Sequence, residues 1–258
     1  MVEMWARGAA YEAYIGRWSR VVAAPFVRGL RVPPGAAWLD VGCGTGALTA
    51  AVLGLARPGR VAGVDPSAAF LRDADARALR VAADARALPF PAARFDAVVS
   101  GLALNFVPEP ERAAAELARV VAPGGTVAAY LWDYAGGMQM LAHFWAAAVE
   151  LDPGVADRDE VRRFPLCRPE PLHALFTGAG LTGVTTGEIV APTPFADVAD
   201  YWRPFLGGQG PAPAYVAGLS PAGRAALRDR VAARLPVAAD GSIALTARAW
   251  VVRGVRPS

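Results

Sequence analysis

Apolar residues along the chain fall into two alternating rhythms. Short, nearly continuous apolar runs occur at AAWLDV (36–41), RVAGV (60–64), LRVAAD (79–84), RFDAVVSG (94–101) and TVAAYLWD (126–133). Such runs, bounded by turn residues, predict strands buried on both faces. Between them the spacing is helical: over 46–56, closed by Pro58-Gly59, over PSAAFLRDADARA, and over EPERAAAELARVV, stopped by the glycines of APGG. An N-terminal helix over 11–30 places Tyr11, Tyr14, Ile15, Trp18, Val22 and Phe26 on one face, and Pro33-Pro34-Gly35 ends it. Strands and helices joined by short connections predict parallel strands with helices on both faces, a doubly wound α/β sheet.

The second half reads differently. A helical pattern around 137–150 leads into an irregular charged stretch, LDPGVADRDEVRRFP. A helix at 169–178 and a strand at 181–191 restore the earlier rhythm. Helical segments near 195–206 and 220–235 flank a Gly/Pro-rich loop, GGQGPAP, and a final strand runs over 242–252. There is no repeat and no break in composition. The expectation is a single domain over 1–258: an N-terminal helical cover (1–35), a ligand-binding core (36–133), helical lid insertions (134–168 and 193–240) and a final strand (242–253).

Composition narrows the chemistry. The chain has 258 residues, 54% of them hydrophobic, enough for a sizeable core. No apolar run approaches the ~18–20 residues that span a bilayer. The N-terminus lacks the apolar segment of a signal peptide, so a cytoplasmic protein without membrane partners is expected. Cys43 and Cys167 have no metal-ligand spacing, and with only His143 and His173 besides, no metal site is expected. All 26 basic residues are arginine, which excludes Schiff-base lysines and a P-loop lysine. The net charge of +3 is scattered among acids, so a nucleic-acid partner is not expected.

The stretch WLDVGCGTGALTA (38–50) carries the strongest signal. A glycine-rich turn between strand and helix lets backbone approach a ligand closely. Gly42, Gly44 and Ala47, with Asp65 about 20 residues on, satisfy a dinucleotide fingerprint and make a nicotinamide-dependent oxidoreductase one reading. Two features pull away from it. The third glycine comes early, at Gly46. Asp40, just before the turn, would repel a pyrophosphate and attract a cationic amino group. Asp84, closing the third strand, adds a further acid.

With these residues in place, the stretch resembles motif I of class I S-adenosylmethionine (SAM)-dependent methyltransferases. The likeness continues through GVDPS (63–67), ADARALPFPAARFDAVVS (83–100) and APGG before TVAAYLW, covering roughly 36–132. YIGRWSR (14–20) is similar to a segment of UbiE-like (methyltransferase type 11) small-molecule enzymes. The resemblance implies a Rossmann-like fold with a mostly parallel seven-stranded sheet, its last strand antiparallel. It also implies SAM as cofactor and S-adenosylhomocysteine as product. Gly42, Cys43, Gly44 and Gly46 would curl under the amino-acid part of the cofactor, with Asp40 anchoring that turn or, through water, the cofactor's ammonium. Asp65, followed by Pro66 and Ser67, would accept the ribose hydroxyls. Asp84 and the Ala85 N–H would meet adenine, and the Ser100 carbonyl the ammonium. Tyr14 and Arg17 would lie in a helix closing over the cofactor. Asn105 stands where many relatives have a histidine.

A sulfonium methyl is already activated, so the protein chiefly has to align the reactants. A base is needed only where the acceptor is protonated, and His143 is the candidate. Trp132, Tyr134, Met138, Phe144 and Trp145 around it would suit a small apolar acceptor, although Met138, Leu141 and Trp145 equally have ordinary packing spacing. The third reading is a non-catalytic SAM-binding protein that keeps the fold.

Overall fold

The computed structural model describes residues 16–158, 160–207 and 210–258. They fall into two compact units. A sheet unit comprises Ser19–Leu131, Leu166–Ile189 and Ala249–Ser258. A helical unit comprises Trp132–Pro165 and Val190–Arg248, with the described residues up to Trp18.

Among the described residues there are seven strands: β1 (Ala37–Val41), β2 (Arg60–Asp65), β3 (Leu79–Ala82), β4 (Phe95–Gly101), β5 (Val121–Trp132), β6 (Thr182–Phe195) and β7 (Ile243–Val255). Their order is β3-β2-β1-β4-β5-β7-β6. β1 pairs in parallel with β2 and β4, β2 with β3, and β4 with β5. β7 runs against β5: Gly124 N donates to Arg256 O at 2.9 Å, and Asp133 N to Arg248 O at 2.9 Å. The sheet is thus the mostly parallel, doubly wound one that the alternation predicts. β1 sits where the winding reverses, between β2 and β4. In open α/β sheets that switch point, at the carboxyl ends of the strands, is where ligands bind.

Packing explains the order. All five residues of β1 are buried, as a central strand covered on both faces requires. β3, at the edge, has Leu79, Arg80 and Ala82 exposed. The Pro110–Val120 helix buries Ala113, Ala114, Leu117 and Val120, one apolar stripe, and starts on Pro110, whose missing N–H costs nothing in a first turn. Arg256 finishes it, donating from Nη1 to the carbonyls of Arg119 at 2.8 Å and Val121 at 2.5 Å.

Several boundaries differ from expectation, and two of the differences have a clear physical reason. β5 begins at Val121, not 126, because Phe95 pairs with Val121 before the register shifts and Ala97 pairs with Thr126. The APGG corner is therefore an irregularity within a strand. In the helical unit, the end of GGQGPAP is helix: Pro211 opens the Pro211–Gly218 segment from its first turn.

The helical unit has an aromatic core of its own. The Gln139–Leu151 helix buries Met140, Leu141, Phe144, Trp145, Ala147 and Ala148. Phe144 stacks on Phe205 with centroids 4.4 Å apart, and Tyr215 meets it edge-on at 6.4 Å. Several buried polar groups there are paired: Tyr201 Oη donates to Met140 O at 2.5 Å, Trp145 Nε1 to Glu160 Oε2, and Arg248 Nε to the buried Asp133 carboxylate at 2.8 Å.

Candidate functional site

The turn after β1 is held in a conformation that only glycines adopt without strain. Gly42, Gly44 and Gly46 have φ of +74°, +52° and +91°. Gly42 N and Cys43 N both donate to Val64 O on β2, at 2.7 and 3.0 Å, and Gly46 N closes the turn onto Cys43 O at 2.8 Å. Gly46 then caps the Ala47–Leu55 helix. A Cβ on Gly44 would meet nothing within 4 Å, so the backbone faces open space there. The turn is a preformed cradle at the switch point.

Asp65 does two jobs in this cradle. Its Oδ2 accepts from Gly44 N at 3.0 Å and its Oδ1 from Ser67 N at 2.8 Å. It therefore ties the glycine turn to the end of β2 and sets up Ser67, which caps the Ala68–Asp73 helix by accepting from Phe70 N. A carboxylate has about four acceptor positions, so about two remain for a ligand with paired hydroxyls. Burial pushes the Asp65 pKa up, and the Ser67 and Gly44 N–H groups partly offset it.

Asp40 lies at the end of β1, 1% exposed. Its Oδ2 accepts from Thr49 Oγ1 at 2.7 Å, while Oδ1 has no partner among the described residues. Burial raises its pKa to about 7, against the lowering effect of the Thr49 hydrogen bonds, with the nearby Asp65 charge adding to the rise. The simple electrostatic reading of Asp40 as a fixed negative charge is thereby modified. Near neutrality it is only partly ionised, and a bound cation would complete the ionisation. Since the folded pKa lies above the unfolded one, the folded chain holds this proton more tightly. The Asp40 contribution to stability is present below about pH 4 and lost as pH rises through about 7. Affinity for a cationic ligand at Asp40 should do the opposite, rising from pH 6 to 8 with release of up to one proton at the acid end. Calorimetry in buffers of different ionisation enthalpy measures the release, and Asp40→Asn should abolish it. A wild-type affinity that is flat with pH would refute the linkage.

The exit of β4 completes this part of the sheet unit. Gly42 has no Cβ because one would sit 2.3 Å from Ala103 Cβ. Next to Ala103, Leu102 is held at φ +58°, a strained value for a buried leucine. Ser100 Oγ and Asn105 Nδ2 are buried with no partner among the described residues. Ser100 Oγ and Asp40 Oδ1 are orphaned polar atoms on neighbouring strand ends (β1 pairs with β4 up to Asp40 and Val99), Asn105 follows in the short helical turn after β4, and such groups usually mark a ligand or water position. Thr49 and Ala103 were not identified from sequence. The signal for Thr49 was a hydroxyl in the first turn of the helix after the glycines.

Other sequence candidates have different surroundings. Cys43 packs with its Sγ 2.9 Å from where a Gly63 Cβ would be, and burial pushes its thiol pKa well up, so it is a packing residue without a thiolate. Pro66 is exposed. Asp84 is largely exposed and gripped by Arg86, whose N–H and Nε reach Oδ1 at 2.8 and 3.1 Å and whose Nη2 reaches Oδ2 at 2.7 Å. That pairing lowers its pKa. Ala85 is buried beside it.

In the helical unit, Arg17 lies over the rings of Trp18 and Phe195 and reaches Asp200 at 3.5 Å. Phe144 and Trp145 belong to the aromatic core, Met138 is 1% exposed, and Tyr134 packs on Phe164 at 5.4 Å. Trp132 is buried, with its Nε1 unpartnered among the described residues. His143 is half-buried, and burial with the Arg234 charge lowers its pKa. Tyr14 lies outside the described residues. No group of three or more His, Cys, Asp or Glu side chains among the described residues could hold a metal, and no helix there is long and apolar enough to cross a membrane.

Residues 39–129 match a family model described as a methyltransferase domain. The chain is 39% identical over 105 residues to demethylmenaquinone methyltransferase of Bacillus licheniformis, covering 38% of this chain and 45% of that one. It is 36% identical over 124 residues to 2-methyl-6-phytyl-1,4-hydroquinone methyltransferase of Synechocystis, covering 46% and 39%. The matches thus span less than half the length of these curated relatives. Among solved structures, phosphoethanolamine N-methyltransferase 2 of Haemonchus contortus, in complex with phosphomonomethylethanolamine and S-adenosylhomocysteine, superposes with a TM-score of 0.58 at 19% identity, covering 97% of this chain and 57% of that one.

Proposed function

We propose that this chain, whose residues 39–129 form a methyltransferase domain, is a SAM-dependent methyltransferase acting on a small acceptor. The observation that carries the reading is the glycine turn pinned by Asp65: backbone open at Gly44, with a buried carboxylate that still has acceptor positions free. SAM, when bound, supplies a methyl group on a sulfonium sulfur that is already activated for in-line displacement. The chain's part is to bind, align and exclude water, and alignment can contribute ~7–11 kcal/mol.

Asp65 would take the two ribose hydroxyls on its free lone pairs. Asp40 Oδ1 and the Ser100 carbonyl would meet the ammonium, with Gly42, Cys43, Gly44 and Gly46 passing beneath. The Ala85 N–H would meet an adenine ring nitrogen. Asp84 would accept from the adenine amino group only as Arg86 yields part of its hold. Asn105 Nδ2 would donate to an oxygen of a bound molecule. His143, whose pKa burial and the Arg234 charge lower, is the candidate base for a hydroxyl acceptor. The relatives named for quinol-type substrates favour a small acceptor.

Methyl-labelled SAM offered with a panel of phenols, amines, thiols and carboxylic acids tests the reading. Transfer to at least one class is expected. Tight SAM binding with no transfer to any of them would favour the non-catalytic reading instead.

A further inference from the structure

The helical unit holds a second set of orphaned polar groups, and they are mainly donors. Among the described residues, Arg17 presents Nε and Nη2 buried and unpartnered, and Trp18 Nε1 is likewise unpartnered in a residue 8% exposed. Thr193 Oγ1 is a third, in a residue 1% exposed. Arg17 and Trp18 gather around one ring, that of Phe195. The Arg17 guanidinium lies 4.3 Å from the Trp18 centroid and 4.6 Å from that of Phe195. Trp18 meets Phe195 edge-on at 5.7 Å. Thr193 precedes Phe195 by two residues on β6, so both side chains share one face of the strand.

Charge points the same way. Asp200 is the acid beside Arg17, but its contact is long, at 3.5 Å, and goes to Nη1. Asp200 Oδ2 accepts from Ala196 N at 3.1 Å, and Arg203 lies 3.8 Å from Oδ1. Two arginines on one aspartate leave one positive charge over. Burying N–H donors without acceptors is unfavourable, and a planar guanidinium fork held against two aromatic rings matches an oxyanion.

We propose that Arg17, Trp18 and Thr193 form a site for a singly charged oxyanion, such as a carboxylate, carried by the methyl acceptor on an aromatic or apolar body. The assignment to the acceptor rests on the methyltransferase reading; the anion site does not. The same chemistry could come from the α-carboxylate of the cofactor, so the experiment separates the two sources.

Sodium benzoate, titrated into the full chain and followed by tryptophan fluorescence, is the probe, with benzamide as its neutral counterpart. Benzoate should bind at least tenfold more tightly than benzamide. Arg17→Gln should remove that preference, Thr193→Val should reduce it several-fold, and Arg17→Lys should retain part of it. S-adenosylhomocysteine and 5′-deoxy-5′-methylthioadenosine, which lacks the carboxylate, should each bind wild type and Arg17→Gln equally. If Arg17→Gln weakens S-adenosylhomocysteine tenfold and leaves methylthioadenosine unchanged, the anion is the cofactor's own and the acceptor assignment is overturned. Equal binding of benzoate and benzamide to wild type, a comparison that needs no variant, overturns the anion site itself. If wild type discriminates benzoate but binds no S-adenosylhomocysteine, the anion site is supported and the methyltransferase reading fails.

Discussion

Asp65→Asn is expected to weaken S-adenosylhomocysteine binding about 100-fold and to destabilise the sheet unit by about 1–3 kcal/mol. The two effects share one cause. The carboxylate accepts from Gly44 N and Ser67 N, which leaves about two acceptor positions for a ligand. An asparagine keeps one acceptor oxygen and turns an NH2 group toward the other N–H. One buried donor is orphaned, the glycine turn loosens, and one ribose contact becomes donor against donor. Asp96→Asn is the control. Asp96 Oδ2 also accepts a backbone N–H, from Ala37 at 2.8 Å, but at the opposite end of β1. It should lose comparable stability at most and keep full affinity. Thermal melts and calorimetry on both variants check this. Asp65→Asn with wild-type affinity would remove Asp65 from the site.

Gly42→Ala should be at least as damaging. The new methyl would sit 2.3 Å from Ala103 Cβ, at a φ of +74° that alanine adopts only under strain. Overpacking and left-handed strain together cost about 2–5 kcal/mol. The melting temperature should fall by roughly 5–15 °C, and cofactor binding should drop below detection because the turn must move. Adding Ala103→Gly removes the overlap but not the strain. The double variant is therefore expected to recover about half the lost stability. No recovery would mean that the β4 exit does not set the position of the turn.

These effects were only partly legible in the sequence. Runs such as AAWLDV and RFDAVVSG fixed the strands, because parallel central strands need continuous apolar character. Gly42, Gly44 and Gly46 announced a turn that needs positive φ. Asp65 was identifiable by its place after β2, but its grip on Gly44 and Ser67 was not, since hydrogen bonding across a turn leaves no periodic trace. The Asp84–Arg86 pairing was local and still missed, because an acid at a strand end reads the same whether solvated or paired. The surroundings of Arg17 were illegible for a different reason: Phe195 and Asp200 lie more than 170 residues away in the chain. Proline misled at GGQGPAP, where Pro211 starts a helix instead of ending one.

Titration calorimetry of the full chain with S-adenosylhomocysteine tests the central claim most directly. The account predicts one site per chain with micromolar-range affinity, on the order of −8 kcal/mol. It also predicts no heat from NADH under the same conditions. Saturable binding of NADH with none of S-adenosylhomocysteine would contradict it.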